Sequence, residues 1–191
     1  MTTLEVNPLQ VPRLFRKAYP AELTPEDQTA ALRATGLDPG EHGLALAQLS
    51  AGSVGTAARL LAQDGLELYS RLVDLVDGAP GLNRAGALEL GAACIGAANA
   101  QRYDMTLSML ATLLSRLARF GAMQPATWTE AAPHEARVLS KLAPNAQAGR
   151  RWADLAASLA ARTGHARAVN IDPGQVILDA FLQIDACARP G

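Results

Sequence analysis

The chain has 191 residues, of which 49% are hydrophobic but only 4% aromatic, and its formal net charge is −1. A core made of Leu, Ala and Val with few aromatic or β-branched runs is typical of helices, so we predict an all-α fold. The near-neutral charge argues against a protein whose main task is to bind a nucleic-acid backbone. No apolar run approaches the length of a membrane span, and the N-terminus has no signal-peptide pattern, which favours a cytoplasmic location.

The first third of the chain predicts a small helical unit. Residues 1–8 alternate apolar and polar side chains and are expected to be extended, and residues 9–19 are expected to form a short helix. The sequence Thr-Pro-Glu-Asp at 24–27 is a strong helix start, with a hydroxyl cap, a proline at the first position and acids in the first turn. That helix is predicted to end before Gly36, and a further helix is predicted over residues 38–49.

Residues 48–61, QLSAGSVGTAARLL, interrupt one helix and start another. The apolar helix stops at Gly52, and Ser53 offers a hydroxyl that caps the free amides of a new first turn. Gly52 and Gly55 leave no side chain at the turn, so a neighbouring backbone or a phosphate group can approach closely. The pattern therefore predicts either a tight corner between two helices or a place where a phosphate is bound.

The rest of the chain predicts a bundle of five or six helices. In the most regular of them, leucines face inward, Arg116 and Arg119 face outward, and Gly121 ends the helix. The final helix is capped by Asp172, which is followed by a proline at the first helical position. The predicted helices cover residues 66–76, 84–100, 105–120, 135–142, 151–163 and 173–187.

Two glycine patterns bear on how this bundle is packed. Gly86, Gly91 and Gly96 recur every five residues in the predicted helix 84–100. Because glycine lowers helix propensity, they indicate either tight contact between helices or a weak helix. Residues 64–65, Asp-Gly, form a plausible hinge between the first unit and the bundle.

The corner at residues 51–61 resembles the last helix of the lid in AAA+ clamp-loader subunits, which opens with Gly-Ser. In the ATP-binding members an arginine of this helix, called sensor 2, contacts the nucleotide, and the matching position here is Gly55. The chain is thus similar to the delta prime family of bacterial DNA polymerase III, whose members do not hydrolyse ATP. The Gly-Ser turn alone is a weak motif, and the downstream sequence strengthens it.

The downstream resemblance rests on three stretches: Leu66-x-x-Tyr69 after the corner, a leucine-rich helix ending in LARFGA, and RWADLAASLA followed by VNIDPGQVILDAFLQID. It covers residues 40–189 well and 1–39 loosely. The chain lacks a P-loop, an arginine-finger motif and a cysteine cluster for zinc. It therefore looks like a C-terminal portion, with a lid-like domain at 1–64 that carries the end of an upstream AAA+ core and a helical collar domain at 65–191.

The resemblance implies a role in DNA replication rather than catalysis by this chain. The expected partners are the delta and gamma/tau subunits of the clamp loader, which places sliding clamps on primed DNA as part of a nucleotidyltransferase holoenzyme. Contact with DNA is expected to be weak or indirect. No cofactor, metal or catalytic residue is expected, since the histidines are scattered and Cys94 and Cys187 fit no metal-binding spacing.

Residues 102–167 carry nine Lys and Arg residues against four Asp and Glu, whereas residues 1–100 carry seven against eleven. This split predicts either a basic face on the collar or an ordinary solvated surface. The candidate partner-facing residues are Arg137, Lys141, Arg150, Arg151, Asp179 and Gln183.

A free-standing helical bundle that binds a small ligand or a partner helix in an apolar groove is the alternative function. The two functions predict different surfaces. A clamp-loader piece should expose an apolar strip for its neighbours and lack a deep enclosed pocket, and a ligand-binding bundle should show the reverse.

Overall fold

A computed structural model describes residues 23–168 and 171–189. Within these ranges the chain forms nine α-helices and two short 3-10 turns, Gly40–His42 and Ala97–Asn99, with no strand, so the all-α prediction is confirmed. The elements predicted over 1–19 lie outside the described residues. The helices are α1 (Pro25–Ala34), α2 (Gly43–Ser50), α3 (Val54–Ala62), α4 (Gly65–Asp77), α5 (Arg84–Ala92), α6 (Ala100–Met123), α7 (Glu135–Leu142), α8 (Ala146–Ala168) and α9 (Pro173–Cys187).

Three predicted helix starts are confirmed by their hydrogen bonds. The side chains of Thr24, Ser53 and Asp172 each accept a hydrogen bond from the backbone amide three residues further on, at 3.1, 3.3 and 3.0 Å. Pro25 and Pro173 stand at the first positions of α1 and α9. These starts depend only on neighbouring residues, since a cap satisfies amides that the helix leaves without partners.

The predicted helix over 84–100 is wrong in its second half. Helix α5 ends at Ala92, and the chain then turns at Gly96, where φ is +94°, before α6 begins at Ala100. Leu88 and Ile95 are 54% and 47% exposed, although both are large and apolar. The buried face of α5 is instead Ala87, Leu90 and Gly91.

Gly121 does not end α6, contrary to the prediction, because it serves a helix crossing. A Cβ atom on Gly121 would lie 2.7 Å from the Cα and N atoms of Gly149 in α8, and a Cβ on Gly149 would lie 2.8 Å from the carbonyl oxygen of Ala118. The two backbones are therefore in direct contact. Helix α6 continues to Met123, and α8 begins at Ala146, five residues earlier than predicted, and runs past Gly164 to Ala168.

A similar glycine contact joins α5 to α9. At Gly91 it favours tight contact between helices, rather than a weak helix, as the reason for glycine. A Cβ on Gly91 would lie 3.0 Å from the carbonyl oxygen of Gly174, so Gly91 permits close packing. At the opposite end of the pair, Asp185 accepts hydrogen bonds from the amides of Gly81 and Leu82, at 2.7 and 2.9 Å. These amide bonds lower the pKa of Asp185. Helices α5 and α9 therefore run antiparallel.

Buried side chains from both halves of the chain form one continuous apolar cluster. It extends from Leu32 and Leu46 in the first helices to Phe181 and Ile184 in the last. Whether 1–64 and 65–191 are separate domains stays a prediction. Across the described ranges, none of the helices is long and apolar enough to cross a membrane.

Candidate functional site

The corner between α2 and α3 has the geometry that its sequence predicts. Ala51 and Gly52 adopt left-handed conformations, with φ of 49° and 75°, and Ser53 then caps α3. A Cβ atom on Gly55 would meet nothing within 4 Å. Packing therefore does not require glycine at position 55, and a side chain there would point into open space.

Two of the candidate partner-facing residues are already paired within the chain. Arg137 binds Asp77 through two hydrogen bonds of 2.8 and 3.2 Å, and Lys141 donates to the Asp77 carbonyl oxygen at the end of α4. The Arg137 hydrogen bond lowers the pKa of Asp77 and raises that of Arg137. These contacts attach α7 to α4. The single carboxylate of Asp77 offsets part of the positive charge of Arg137 and Lys141.

Arg150 and Arg151 differ in their surroundings, although they are neighbours in sequence. Arg150 is exposed, whereas Arg151 is half-buried and its guanidinium lies beside the thiol of Cys187 on α9. Burial raises the pKa of that thiol, and the positive charge of Arg151 opposes the rise. Arg151 thus packs against α9. Of these two arginines, Arg150 is the one exposed to solvent as part of the predicted basic face.

Asp179 and Gln183 belong to a small polar cluster on α9. The Asp179 carboxylate pairs with Arg162 of α8 at 2.8 Å and accepts a hydrogen bond from Gln183 at 2.7 Å. Arg162 and Asp179 stand at the edge of an open groove of about 510 Å³ between the end of α8 and the start of α9. Apolar walls of that groove come from Leu159, Ala166, Ile171 and Val176.

A buried charge cluster, which the sequence analysis missed, lies where α4, α6 and α7 meet. The carboxylate of Glu135 is fully buried and accepts hydrogen bonds from the Tyr69 hydroxyl at 2.7 Å and the Ala131 amide at 2.7 Å. It also forms a bidentate pair with the guanidinium of Arg116, which is 3% exposed. Arg116 was predicted to face solvent, and that prediction is wrong because Glu135 neutralises its charge inside the core.

The other contacts of Arg116 extend this cluster to the first helices. Nη1 of Arg116 donates to the side-chain oxygen of Gln48 on α2 at 3.3 Å. Nη2 of Arg116 donates to the backbone carbonyl oxygen of Thr129 at 2.8 Å. The guanidinium also lies 4.9 Å from the centre of the Trp128 ring, which packs edge-on against Phe120. One arginine therefore joins α2, α6, α7 and the segment before α7.

Burial also fixes the protonation of Tyr69. Desolvation raises the pKa of Tyr69, and the charge of Glu135 raises it further. The phenol consequently keeps its proton and acts as a donor to the carboxylate. The buried polar atoms of Arg116, Glu135 and Tyr69 are satisfied by contacts within the chain, which is typical of a structural rather than a catalytic group of charges.

Four large apolar side chains on or next to α5 and α9 are exposed: Leu88 on α5, Leu182 on α9, Ile95 after the end of α5 and Ile171 before the start of α9. We call Leu88, Ile95, Ile171 and Leu182 the α5–α9 apolar face; each is between 41% and 54% exposed. Ile95 lies against the first turn of α9, since a Cβ on Gly174 would be 3.2 Å from its terminal carbon. Where such side chains form a contiguous patch, they often mark a protein–protein contact.

The candidate residues thus divide into an open corner, a set of ion pairs within the chain and an apolar face. Within the described ranges, three or more metal-binding side chains do not come together. In comparisons with known proteins, no family model, no curated protein and no solved structure matches this chain.

Proposed function

We propose that this chain is the lid and collar portion of a clamp-loader subunit similar to delta prime, and that it serves assembly rather than ATP hydrolysis. The observation that carries the proposal is the corner at residues 51–55. Its Gly-Ser turn starts a helix as in the AAA+ lid, and it has Gly55 at the position of the nucleotide-binding arginine. The helical bundle that follows is compatible with a collar domain.

The α5–α9 apolar face supports an assembly role. Exposed leucine and isoleucine side chains on and next to a pair of packed helices are suited to contact with helices of a neighbouring subunit. In this proposal the neighbours are the collars of the delta and gamma/tau subunits. Three grooves, of about 370, 510 and 480 Å³, are open to solvent, which is compatible with an assembly subunit.

An aspartate at Leu88 and another at Leu182 should weaken this assembly. The double variant Leu88→Asp/Leu182→Asp would place two unpaired charges in the contact, which we expect to weaken co-purification with delta and gamma/tau by about tenfold or more. Leu44→Asp is the matched control, because Leu44 is 57% exposed but lies on α2. If the double variant and the control assemble equally well, the α5–α9 apolar face is not the collar contact.

Mg-ATP should give no heat of binding in a calorimetric titration of this chain. The sequence has no P-loop to hold the phosphates, and Gly55 supplies no positive charge. Because the space beyond Gly55 is open, a Gly55→Arg variant should fold normally and should also give no heat. Micromolar binding by the wild-type chain would contradict both the proposed family and the role assigned to Gly55.

The groove of about 510 Å³ between α8 and α9 favours the second candidate function, a bundle that binds a small ligand or a partner helix. Its size and its apolar walls, with the Arg162–Asp179 ion pair at the edge, are suitable for a small amphipathic molecule. Tight binding of such a molecule, together with no affinity for clamp-loader subunits, would favour this function over the first.

A further inference from the structure

The two exposed leucines of α5 and α9 lie on the same side of this helix pair. Gly91 of α5 and Gly174 of α9 face each other across the contact, which fixes how each helix is rotated. At about 100° per residue, Leu88 lies about 60° around α5 from Gly91. Leu182 lies about 80° around α9 from Gly174, in the same rotational sense. Because the helices are antiparallel, equal senses of rotation place both leucines on one side of the pair, away from the core.

The same leucines are also close in height along the pair. With Gly91 level with Gly174 and a rise of about 1.5 Å per residue, Leu88 and Leu182 differ in height by roughly 8 Å. Leu178, one turn before Leu182, is half-buried and stands within about 2 Å of the height of Leu88. The exposed leucines therefore belong to one patch that two adjacent helices share.

Two charges of opposite sign stand at the two ends of this patch. Arg84, the first residue of α5, is exposed and has no ion-pair partner among the described residues. Asp172, which caps α9, is exposed at the opposite end, next to Gly174. Measured along the pair, the midpoint between Arg84 and Asp172 falls at about the height of Leu88. The other charged residues within α5 and α9 are in ion pairs within the chain: Glu89 with Arg71, Asp179 with Arg162, and Asp185 with Arg189.

This arrangement is complementary to itself. A half-turn about an axis that passes through the patch at Leu88 exchanges the two ends. It brings Arg84 of one copy opposite Asp172 of a second copy, and the reverse, while the leucines of both copies meet at the centre. Self-complementarity of this kind is the requirement for a closed two-fold contact between identical chains.

We infer that a second copy of this chain covers the α5–α9 apolar face and forms a two-fold dimer. A face two helices wide and about as long as α9 covers roughly 400 Å² per copy, which is below the area of about 1,200 Å² in total that stable complexes bury. The dimer is accordingly weak and forms at high concentration. The inference does not depend on the proposed clamp-loader function, because it concerns the chain alone.

Sedimentation equilibrium of the chain alone, from about 10 μM to about 1 mM, tests the dimer, since weak contacts have dissociation constants in this range. The mean mass should rise from that of the monomer to twice that value and no further, because a two-fold contact closes. Leu88→Asp should keep the chain monomeric, because it places a charge near the axis in each copy. Leu44→Asp, at an exposed position of α2, is the matched control and should dimerise like the wild type.

Arg84→Glu tests the charge pattern, and it does not depend on whether Leu88→Asp folds, since Arg84 is exposed. It sets a carboxylate opposite Asp172 of the second copy and should weaken dimerisation about fivefold or more at low salt. Asp172→Asn keeps a capping side chain but removes the charge. Arg84→Glu should therefore have little effect on dimerisation when Asp172→Asn is already present.

Four outcomes would disprove the two-fold dimer. The wild-type chain could remain a monomer at the highest concentration, which would leave the face to a different partner. The mass could rise past twice that of the monomer, as an open contact predicts. Leu88→Asp and Leu44→Asp could dimerise equally well, or Arg84→Glu could act equally with and without Asp172→Asn.

Discussion

Glu135→Ala is expected to lower the free energy of unfolding by about 3–5 kcal/mol, the range measured when one partner of a buried ion pair is removed. Arg116 would then remain in the core, 3% exposed, with its charge uncompensated. The Tyr69 hydroxyl and the Ala131 amide would lose their acceptor as well. A small domain is stable by about 5–15 kcal/mol, so the loss would be a large share of the total.

Urea unfolding followed by circular dichroism measures this effect, and Glu89→Ala is its matched control. Glu89 pairs with Arg71 at 3.1 Å, but its side chain is 75% exposed, so the control should lose less than about 1 kcal/mol. The double variant Glu135→Leu/Arg116→Met should recover part of the loss, because it removes both buried charges together, although the Tyr69 hydroxyl and the Ala131 amide still lack an acceptor. Equal losses for Glu135→Ala and Glu89→Ala would show that the buried pair contributes no more than a surface pair.

Phe181→Ala is expected to cost about 3–5 kcal/mol through the cavity it leaves in the bundle. Phe181 is fully buried in the middle of α9, between Ile177 and Ile184. The expected consequence is a loosened or unfolded region 65–191. If the collar proposal is correct, co-purification with delta and gamma/tau subunits should be lost at the same time.

Thermal melting and co-purification, both measured for each variant, separate the predicted loss of stability from the predicted loss of assembly. Gln175→Ala is the control, because it truncates an exposed side chain of the same helix and leaves the Asp172 cap in place. The control should melt like the wild type and assemble normally. If Phe181→Ala melts like the wild type and still assembles, α9 is peripheral to both folding and assembly.

The fold could be predicted from the sequence where the signals are local. Thr24, Ser53 and Asp172 start helices through bonds to amides three residues away, so each is visible in a short window of sequence. Helix α7 has the predicted bounds, 135–142. In α9, Ile177 and Phe181 are four residues apart and share the buried side of the helix.

The errors concern contacts between residues that are far apart in the chain. A charged residue such as Arg116 is normally solvated, and its burial depends on Glu135, 19 residues away, and on Gln48, 68 residues away. Gly121 was predicted to end a helix because glycine is common at helix ends. Its actual role is close contact with Gly149, and that helix lies further along the chain. In the candidate site, the same limitation hid the pairing of Arg137 and Lys141 with Asp77.

The crossing of α6 and α8 also limits how mutations at Gly121 and Gly149 can be compensated. At both positions an added methyl group would meet backbone atoms, at 2.7 and 2.8 Å, rather than a side chain. A genetic suppressor that trims a neighbouring side chain would therefore create no room for the methyl group. Rescue of an alanine at either position requires a change that moves one helix axis as a whole, so second-site suppressors should be rarer here than for Gly86, whose nearest neighbour is the flexible end of Leu75.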